Sequence, residues 1–277
     1  MATAPKLGIV AGAGELPGRL IEACRGSGRA FFVVALKHHA EPAVIGDAPH
    51  AWVRLGAAGT SIKALHEAAV EEVVLAGPVR RPTLVELRPD ATVLKLAAKG
   101  AFNLGDDGLL AAVVRTLEDD EGFKVVGADD VLADLLAPPG ALGQVAPDDA
   151  ARDDIDRGVE IVTALGALDV GQAAVVQQGI VLGVEAVEGT DALLARCAGV
   201  RRSGGGGVLV KLAKPQQERR ADLPTIGPRT IENAQRAGLA GVAVEAGNTL
   251  VMQREETIAA ADAAGLFLIG IEVSRDA

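Results

Sequence analysis

The feature that most limits what this chain can fold into is the alternation of short aliphatic runs with helix-length amphipathic stretches in its first half. Leu7–Ala11 (LGIVA), Phe31–Leu36 (FFVVAL), Ala51–Leu55 and Val73–Ala76 read as strands, with helices at Leu16–Arg25 and Ser61–Val70 between them. Runs of four to six apolar residues with no polar alternation suit strands covered on both faces. Strands that alternate with helices connect through crossovers, so the pattern predicts an α/β fold with a parallel sheet. Asp106–Glu121 reads as a further helix, with Leu109, Leu110, Val113, Val114 and Leu117 at helical spacing and Asp106 and Asp107 at its start, where a cap and negative charge are favourable.

The segment 137–147 (APPGALGQVAP) contains three Pro and two Gly and predicts a linker without regular structure. It divides the chain into a domain over 1–136 and a second α/β domain over 148–277. In the second, Asp148–Leu165 reads as a helix with Ile155, Val159 and Val162 on one face. Strands are expected at Ala173–Gln178, Ile180–Ala186, Val208–Ala213, Gly241–Glu245 and Leu266–Ile271, with helices at Asp191–Ala198, Arg229–Ala237 and Glu255–Ala264. There is no internal repeat.

Composition enters through what it excludes. A formal charge of −10 argues against nucleic acid, which demands a basic surface, and 5 Phe, 1 Trp and no Tyr leave little for stacking on bases. The two cysteines, Cys24 and Cys197, sit in Ala/Leu-rich helical contexts and read as reduced packing thiols of a cytoplasmic protein rather than a disulfide or zinc framework. His38, His39, His50 and His66 show no metal-ligand spacing. His66 reads as structural, while His38 and His39 end a strand. No apolar run is long enough to cross a membrane.

Four stretches carry residue types suited to a phosphorylated ligand held between the two domains. In the first, a strand runs into Gly12-Ala-Gly14-Glu15-Leu16-Pro17 and then a helix. Such a turn brings backbone N–H groups and a helix N-terminus to a phosphate, or is simply a tight connection. The dinucleotide spacing Gly-x-Gly-x-x-Gly is missed by one residue, since the next glycine is Gly18, and no ribose-binding acid follows the second strand. The second stretch, Gly77-Pro-Val-Arg80-Arg81-Pro82, follows a strand end, where open parallel sheets bind ligands. The third, Glu188-Gly-Thr190-Asp191, offers a helix N-cap in Thr190 or Asp191 and carboxylates able to help hold a metal. The fourth runs from Lys211 through Lys214, Gln217, Glu218, Arg220 and Asp222 to Thr225. It mixes cations with carboxylates, the two kinds of group that diphosphate hydrolysis requires, on a proline-stiffened loop. Neither a serine-nucleophile elbow nor a P-loop lysine motif is present.

These blocks together resemble the LpxI-type UDP-2,3-diacylglucosamine diphosphatases of lipid A biosynthesis. The resemblance spans essentially the whole chain. It rests on GIVAGAGELP, AGPVRRP at Ala76–Pro82, GDDGLL at Gly105–Leu110, LDVGQAAVV at Leu168–Val176, VEAVEGTD at Val184–Asp191, VLVKLAKP at Val208–Pro215 and the stretch through DLPTIGP. One departure is Glu218, where the family pattern has Asp. The resemblance implies a Rossmann-like N-terminal domain joined to a distinct C-terminal α/β domain, and water attack on the α-phosphorus that yields UMP and 2,3-diacylglucosamine 1-phosphate. It also implies Mg²⁺ dependence, a homodimer, and a cytoplasmic protein in peripheral contact with the inner membrane that carries its lipid-linked UDP-sugar substrate. On this reading Asp222, Arg220 and Glu218 are catalytic. Gly12, Gly14, Glu15, Leu16, Gly77, Arg80, Thr190, Lys211, Lys214, Gln217 and Thr225 bind substrate. Asp222, Glu188 and Asp191 hold metal. The other readings to weigh are a nicotinamide-dependent oxidoreductase built on the Gly12–Gly14 turn and a nucleotide-binding module without catalysis.

Overall fold

The computed structural model describes residues 4–80, 87–98, 100–101 and 105–274. The chain divides into two compact units. The first comprises residues 1–133 together with Glu218–Asp222, and the second comprises Asp134–Gln217 and Leu223 onward. The partition is therefore not contiguous in sequence. Five residues of the Lys211–Thr225 stretch belong to the first unit, and their flanks belong to the second.

The first unit is built on five parallel strands, β1 (Leu7–Ala11), β2 (Phe31–Leu36), β3 (His50–Val53), β4 (Glu72–Ala76) and β5 (Lys124–Val125), in the order β3-β2-β1-β4-β5. Helices over Leu16–Ser27 and Ala58–Glu67 form the crossovers from β1 to β2 and from β3 to β4. The chain steps outward from β1 to β2 and β3, then returns to place β4 on the other side of β1. The topological switch point thus lies between β1 and β4, and ligands of open parallel sheets sit beyond the strand ends there. Val34, Val53, Leu65, Val73, Val114, Leu117 and Val125 form a buried core on this sheet.

The second unit contains β6 (Gly140–Ala141), β7 (Ala173–Gln177), β8 (Ile180–Val184), β9 (Val208–Lys211), β11 (Gly241–Glu245) and β13 (Phe267–Ile271), in the order β6-β13-β11-β9-β7-β8. A separate pair joins β10 (Thr225–Ile226) to β12 (Leu250–Val251). β9, β11 and β13 run parallel, while β7 is antiparallel to both β9 and β8. β7, β9 and β11 are buried along their whole length, which is why their sequences are unbroken aliphatic runs. Ile155 and Val162 of helix Asp149–Ala167 pack on one face. Leu193, Leu194, Ile231 and Ala261 of three other helices pack on the opposite one.

Several expectations shift. Helix formation from Asp106 ends at Arg115 and continues as a π-helical turn over Thr116–Asp120, not as an α-helix to Glu121. The cap of the first helical stretch is Gly105, with Asp106 and Asp107 in the first turn. Residues 137–147 are not devoid of regular structure. Gly140 and Ala141 pair with Gly270 and Ile269, and Ala137 is buried in the core of the second unit. Proline excludes a central strand but not a two-residue edge. The helix at 189–198 starts from Glu188, two residues before the expected cap, so neither Thr190 nor Asp191 caps it. His66 stacks on Phe123 with ring centroids 4.5 Å apart, as befits a packing residue. Helix Ala91–Ala98 and the two-residue strands carried too little periodicity to be expected.

One side chain shows how the sheet of the second unit gets its antiparallel edge. β7 and β8 are joined by Gln178 and Gly179, both at positive φ, the geometry of a type I′ turn. Asp154, 4 % exposed, accepts the turn's backbone N–H groups, Gln178 N at 2.9 Å and Gly179 N at 2.7 Å. Asp154→Ala leaves both amides without that acceptor and should lower unfolding free energy by roughly 2–3 kcal/mol. Urea denaturation of wild type and variant measures it, and a loss under about 0.5 kcal/mol would remove this clamp role.

Candidate functional site

In the first unit the two glycine turns expected to cradle phosphate meet at the switch point. Gly12 N donates to Ala76 O at 2.8 Å and Ala13 N to Pro78 O at 3.0 Å, so the chain leaving β1 lies against the chain leaving β4. A Cβ on Gly12 would stand 2.6 Å from Gly77 O, and one on Gly77 would strike Ala13 O. Gly14 and Gly77 both have positive φ. Glycine is thus required by contact at Gly12 and by both contact and backbone conformation at Gly77. Glu15 caps the helix that opens at Leu16. Gly12, Gly14 and Gly77 accordingly lie in turns that meet beyond the ends of β1 and β4, with Glu15 and Leu16 directly after Gly14 and Arg80 three residues after Gly77. Arg81 and Pro82 lie outside the described residues.

Glu218, Arg220 and Asp222 form a compact turn of the same unit. Ala221 N and Asp222 N donate to Glu218 O at 2.8 and 3.0 Å. Arg220 Nε and Nη2 donate to the two Glu218 oxygens at 2.8 and 2.9 Å, and Nη1 donates to Glu118 Oε1 at 2.7 Å. Arg220 hydrogen bonding holds the Glu218 carboxyl below the usual range against a smaller opposing effect of burial. The Arg220 guanidinium, expected to neutralise substrate phosphate, is thus engaged on two carboxylates. It lies beside β5, which pairs with Glu72 and Val73 at the beginning of β4, whereas Gly77 follows the end of β4.

In the second unit, the carboxyl ends of β8, β9 and β11 carry charged side chains into an otherwise aliphatic sheet. Lys211 and Glu185 are each 6 % exposed and Glu245 is 2 % exposed. Lys211 Nζ donates to Thr190 Oγ1 at 2.8 Å, and Thr190 Oγ1 donates to Glu185 Oε1 at 2.6 Å. A hydroxyl has a single proton. Because Thr190 gives it to Glu185, its lone pair must face Lys211, and the direction of the relay is fixed. Among the described residues Lys211 forms no direct ion pair. Glu245 accepts from Ala213 N at 2.9 Å and Asn248 Nδ2 at 2.6 Å. Gln172 Oε1, Asn248 Oδ1 and Thr249 Oγ1 near the same sheet end are buried with no hydrogen-bond partner among the described residues.

The remaining expected residues of that unit have other partners. Lys214 Nζ pairs with Asp169 at 2.5 Å, and Gln217 Oε1 accepts from Lys214 N at 2.9 Å. Thr225 Oγ1 donates to Leu223 O at 3.1 Å. Glu188 pairs with Arg196 at 2.8 Å, and its own backbone amide together with Arg196 holds its carboxyl below the usual range. Asp191 is bonded to Arg229 and to Asn233 Nδ2. Among the described residues no three Asp, Glu, His or Cys side chains group to hold an ion.

Both units match known families. The profile of the LpxI N-terminal domain covers residues 6–135, and that of the LpxI C-terminal domain covers residues 138–269. The chain belongs to the LpxI family. It is 45 % identical over 275 residues to the UDP-2,3-diacylglucosamine pyrophosphatase LpxI of Caulobacter vibrioides, covering 96 % of this chain and 98 % of that one.

Sequence reading of this LpxI chain missed Glu118, Glu185 and Glu245. Glu185 and Glu245 had a signal, a carboxylate within or at the end of an aliphatic strand. Glu118 had none, since its importance comes from a partner 102 residues away. Two outcomes follow from the geometry. Thr190→Val removes the only hydroxyl between two buried charges and should cost roughly 1–3 kcal/mol in chemical denaturation, with Thr190→Ser near wild type. Glu218 has a depressed carboxyl, so its contribution is complete above about pH 4.3 and is lost as pH falls through the lower folded value. Hydrogen exchange should show the Ala221 and Asp222 amides losing protection only below that pH. Loss already at neutral pH would contradict the assignment.

Proposed function

We propose that this chain hydrolyses UDP-2,3-diacylglucosamine to UMP and 2,3-diacylglucosamine 1-phosphate. Membership of the LpxI family along both units supports the substrate, and the observation that carries the chemistry is the buried Lys211 held by Thr190 at a strand end. A diphosphate brings concentrated negative charge. A preorganised ammonium in a dry setting stabilises it more than a hydrated surface lysine would.

The balanced reaction is a displacement at phosphorus. Water oxygen bonds to one phosphorus of the diphosphate, the bond from that phosphorus to the bridging oxygen breaks, and the bridging oxygen leaves with the other phosphate. Lys211 is assigned to the developing charge on the phosphate oxygens. The glycine turns at Gly12–Gly14 and Gly77 are assigned to the nucleotide, where backbone N–H groups approach closely. Mg²⁺, when bound, would neutralise phosphate charge, and Asp222 is the carboxylate assigned to it. Asp222 acts there either as ligand to that ion or as acceptor of the attacking water's proton.

The acyl chains require apolar surface. Leu168, Val170 and Val187 are exposed on loops flanking β7 and β8, at the same sheet end as Lys211, and this reading assigns them to the lipid. Peripheral contact with the inner membrane and a homodimer belong to the same proposal by family resemblance. Among the described residues no helix is long and apolar enough to cross a membrane.

The decisive assay is UMP release from UDP-2,3-diacylglucosamine in detergent micelles, with Mg²⁺ and with EDTA, for wild type, Asp222→Ala and Asp222→Asn. Wild type should turn over only with Mg²⁺, and Asp222→Ala should lose roughly 100-fold or more in kcat. A raised Mg²⁺ requirement in Asp222→Asn identifies a ligand, and an unchanged requirement with lost kcat identifies a base. A wild type that releases no UMP sinks the proposal.

A further inference from the structure

We infer that Glu185 is a positioning residue for the reaction, holding the Lys211 ammonium in place through the hydroxyl of Thr190. The inference rests on the assignment of Lys211 to the phosphate charge. Lys211 ends β9 and stands opposite Ala173 of β7. On the other side of β7, Ala174 pairs with Val184 of β8, and Glu185 N donates to Ala173 O at 2.8 Å, so Glu185 continues that register. Lys211, Ala173 and Glu185 therefore stand abreast on three neighbouring strands, with their side chains on one face. Ala173, in the middle, is fully buried and carries only a methyl group.

Strands lie about 4.8 Å apart, so the two outer residues are separated by about 10 Å at the backbone. Thr190 bridges that gap from the first turn of helix Gly189–Ala198, whose Leu193 and Leu194 pack with Ala173 and Leu209 on the same face. Lys211 Nζ donates to Thr190 Oγ1 at 2.8 Å, and Thr190 Oγ1 donates to Glu185 Oε1 at 2.6 Å.

The three groups are not equally free. Glu185 is held from β7 without help from Thr190. Its Oε2 accepts Gln172 N at 3.3 Å, and a Cβ on Gly171 would stand 2.0 Å from its carbonyl oxygen, an approach that only glycine permits. Thr190 is short, and its one soft degree of freedom is the hydroxyl proton. Lys211 is the long, flexible member, and the bond to Thr190 is the one its ammonium makes among the described residues. A hydroxyl without an acceptor can turn its proton toward the ammonium, which it would repel. With Glu185 taking that proton, the lone pair faces Lys211. Glu185 also puts an opposite charge one hydroxyl away from an ammonium that is 6 % exposed, and offsets part of the cost of withdrawing it from water. The strand pairing around it is made by backbone groups. Removing the carboxylate therefore leaves the sheet in place and releases the ammonium.

The test uses the full chain as wild type, Glu185→Gln, Thr190→Val, the double variant and Lys211→Ala. Gln keeps the size of Glu185 and removes its charge, and its amide can give a proton to Thr190 rather than take one. UMP release from UDP-2,3-diacylglucosamine gives kcat and KM. Labelling with acetic anhydride, read by peptide mass spectrometry, gives the reactivity of the Lys211 amine, with Lys214 and its Asp169 partner as internal control. Glu185→Gln should lower kcat roughly 10- to 100-fold with KM little changed, the signature of a misplaced reacting group. The double variant should be no slower than Thr190→Val, because both substitutions break one chain. Lys211 should be labelled faster than in wild type in all three, and Lys214 at the wild-type rate. Wild-type kcat in Glu185→Gln while Lys211→Ala is dead overturns this inference alone, as do losses that multiply in the double variant. Equal acceleration at Lys211 and Lys214 also overturns it, since Glu185 would then hold the fold rather than the ammonium. Thr190→Val breaks the same chain one link later, so unchanged Lys211 labelling there overturns the inference even if Glu185→Gln does not fold. Wild-type kcat in Lys211→Ala overturns the reading beneath it.

Discussion

A charge buried in an aliphatic sheet must find a polar partner on the spot, and that demand organises the candidate site of this protein. β7, β9 and β11 are covered on both faces, so the interior can take no more than a few polar atoms, and these collect where the strands end. Lys211 ends β9, Glu245 ends β11 and Glu185 follows β8, all within a hydrogen bond of a neighbouring strand end or loop. Thr190 links the cation and one carboxylate by a single proton. Its hydroxyl places a directed contact between the two charges in place of a direct ion pair.

The first unit reaches a similar end by a different device. There the strand ends carry glycine rather than charge, and the turns after β1 and β4 approach until only hydrogen atoms fit between them. This closeness pairs the Gly12 and Ala13 amides with the carbonyls of Ala76 and Pro78 at the switch point of the sheet. The same unit holds the Glu218–Asp222 turn through Arg220, with a guanidinium shared by two carboxylates. One unit thus holds the closely packed glycine turns and the Glu218–Asp222 segment, and the other holds the buried Lys211. The family profiles cover both units.

Much of this organisation was legible in the residues. Strand positions followed from aliphatic runs, since complete burial leaves no polar alternation. Gly12, Gly14 and Gly77 pointed to tight turns, because glycine after a strand is tolerated only where something requires it. Lys211 and Thr190 stood in separate blocks that both looked functional, and the structure joins them. Elements that rest on long-range support were not legible. Helix Ala91–Ala98 and the two-residue strands have no periodicity of their own, and Gly140–Ala141 gains its strand geometry only from β13.

The sequence by itself determined the α/β class, the two-part organisation, the glycine turns and the family, because these depend on local patterning and on residue identity. Only the tertiary structure decided which charges are engaged and with whom. Arg220 is held by Glu118 and Glu218, Glu188 pairs with Arg196 and Asp191 with Arg229, and Lys211 gains its acceptor from a helix 21 residues earlier. Charge pairing depends on distances of a few ångströms between residues far apart in the chain, and no local pattern encodes them.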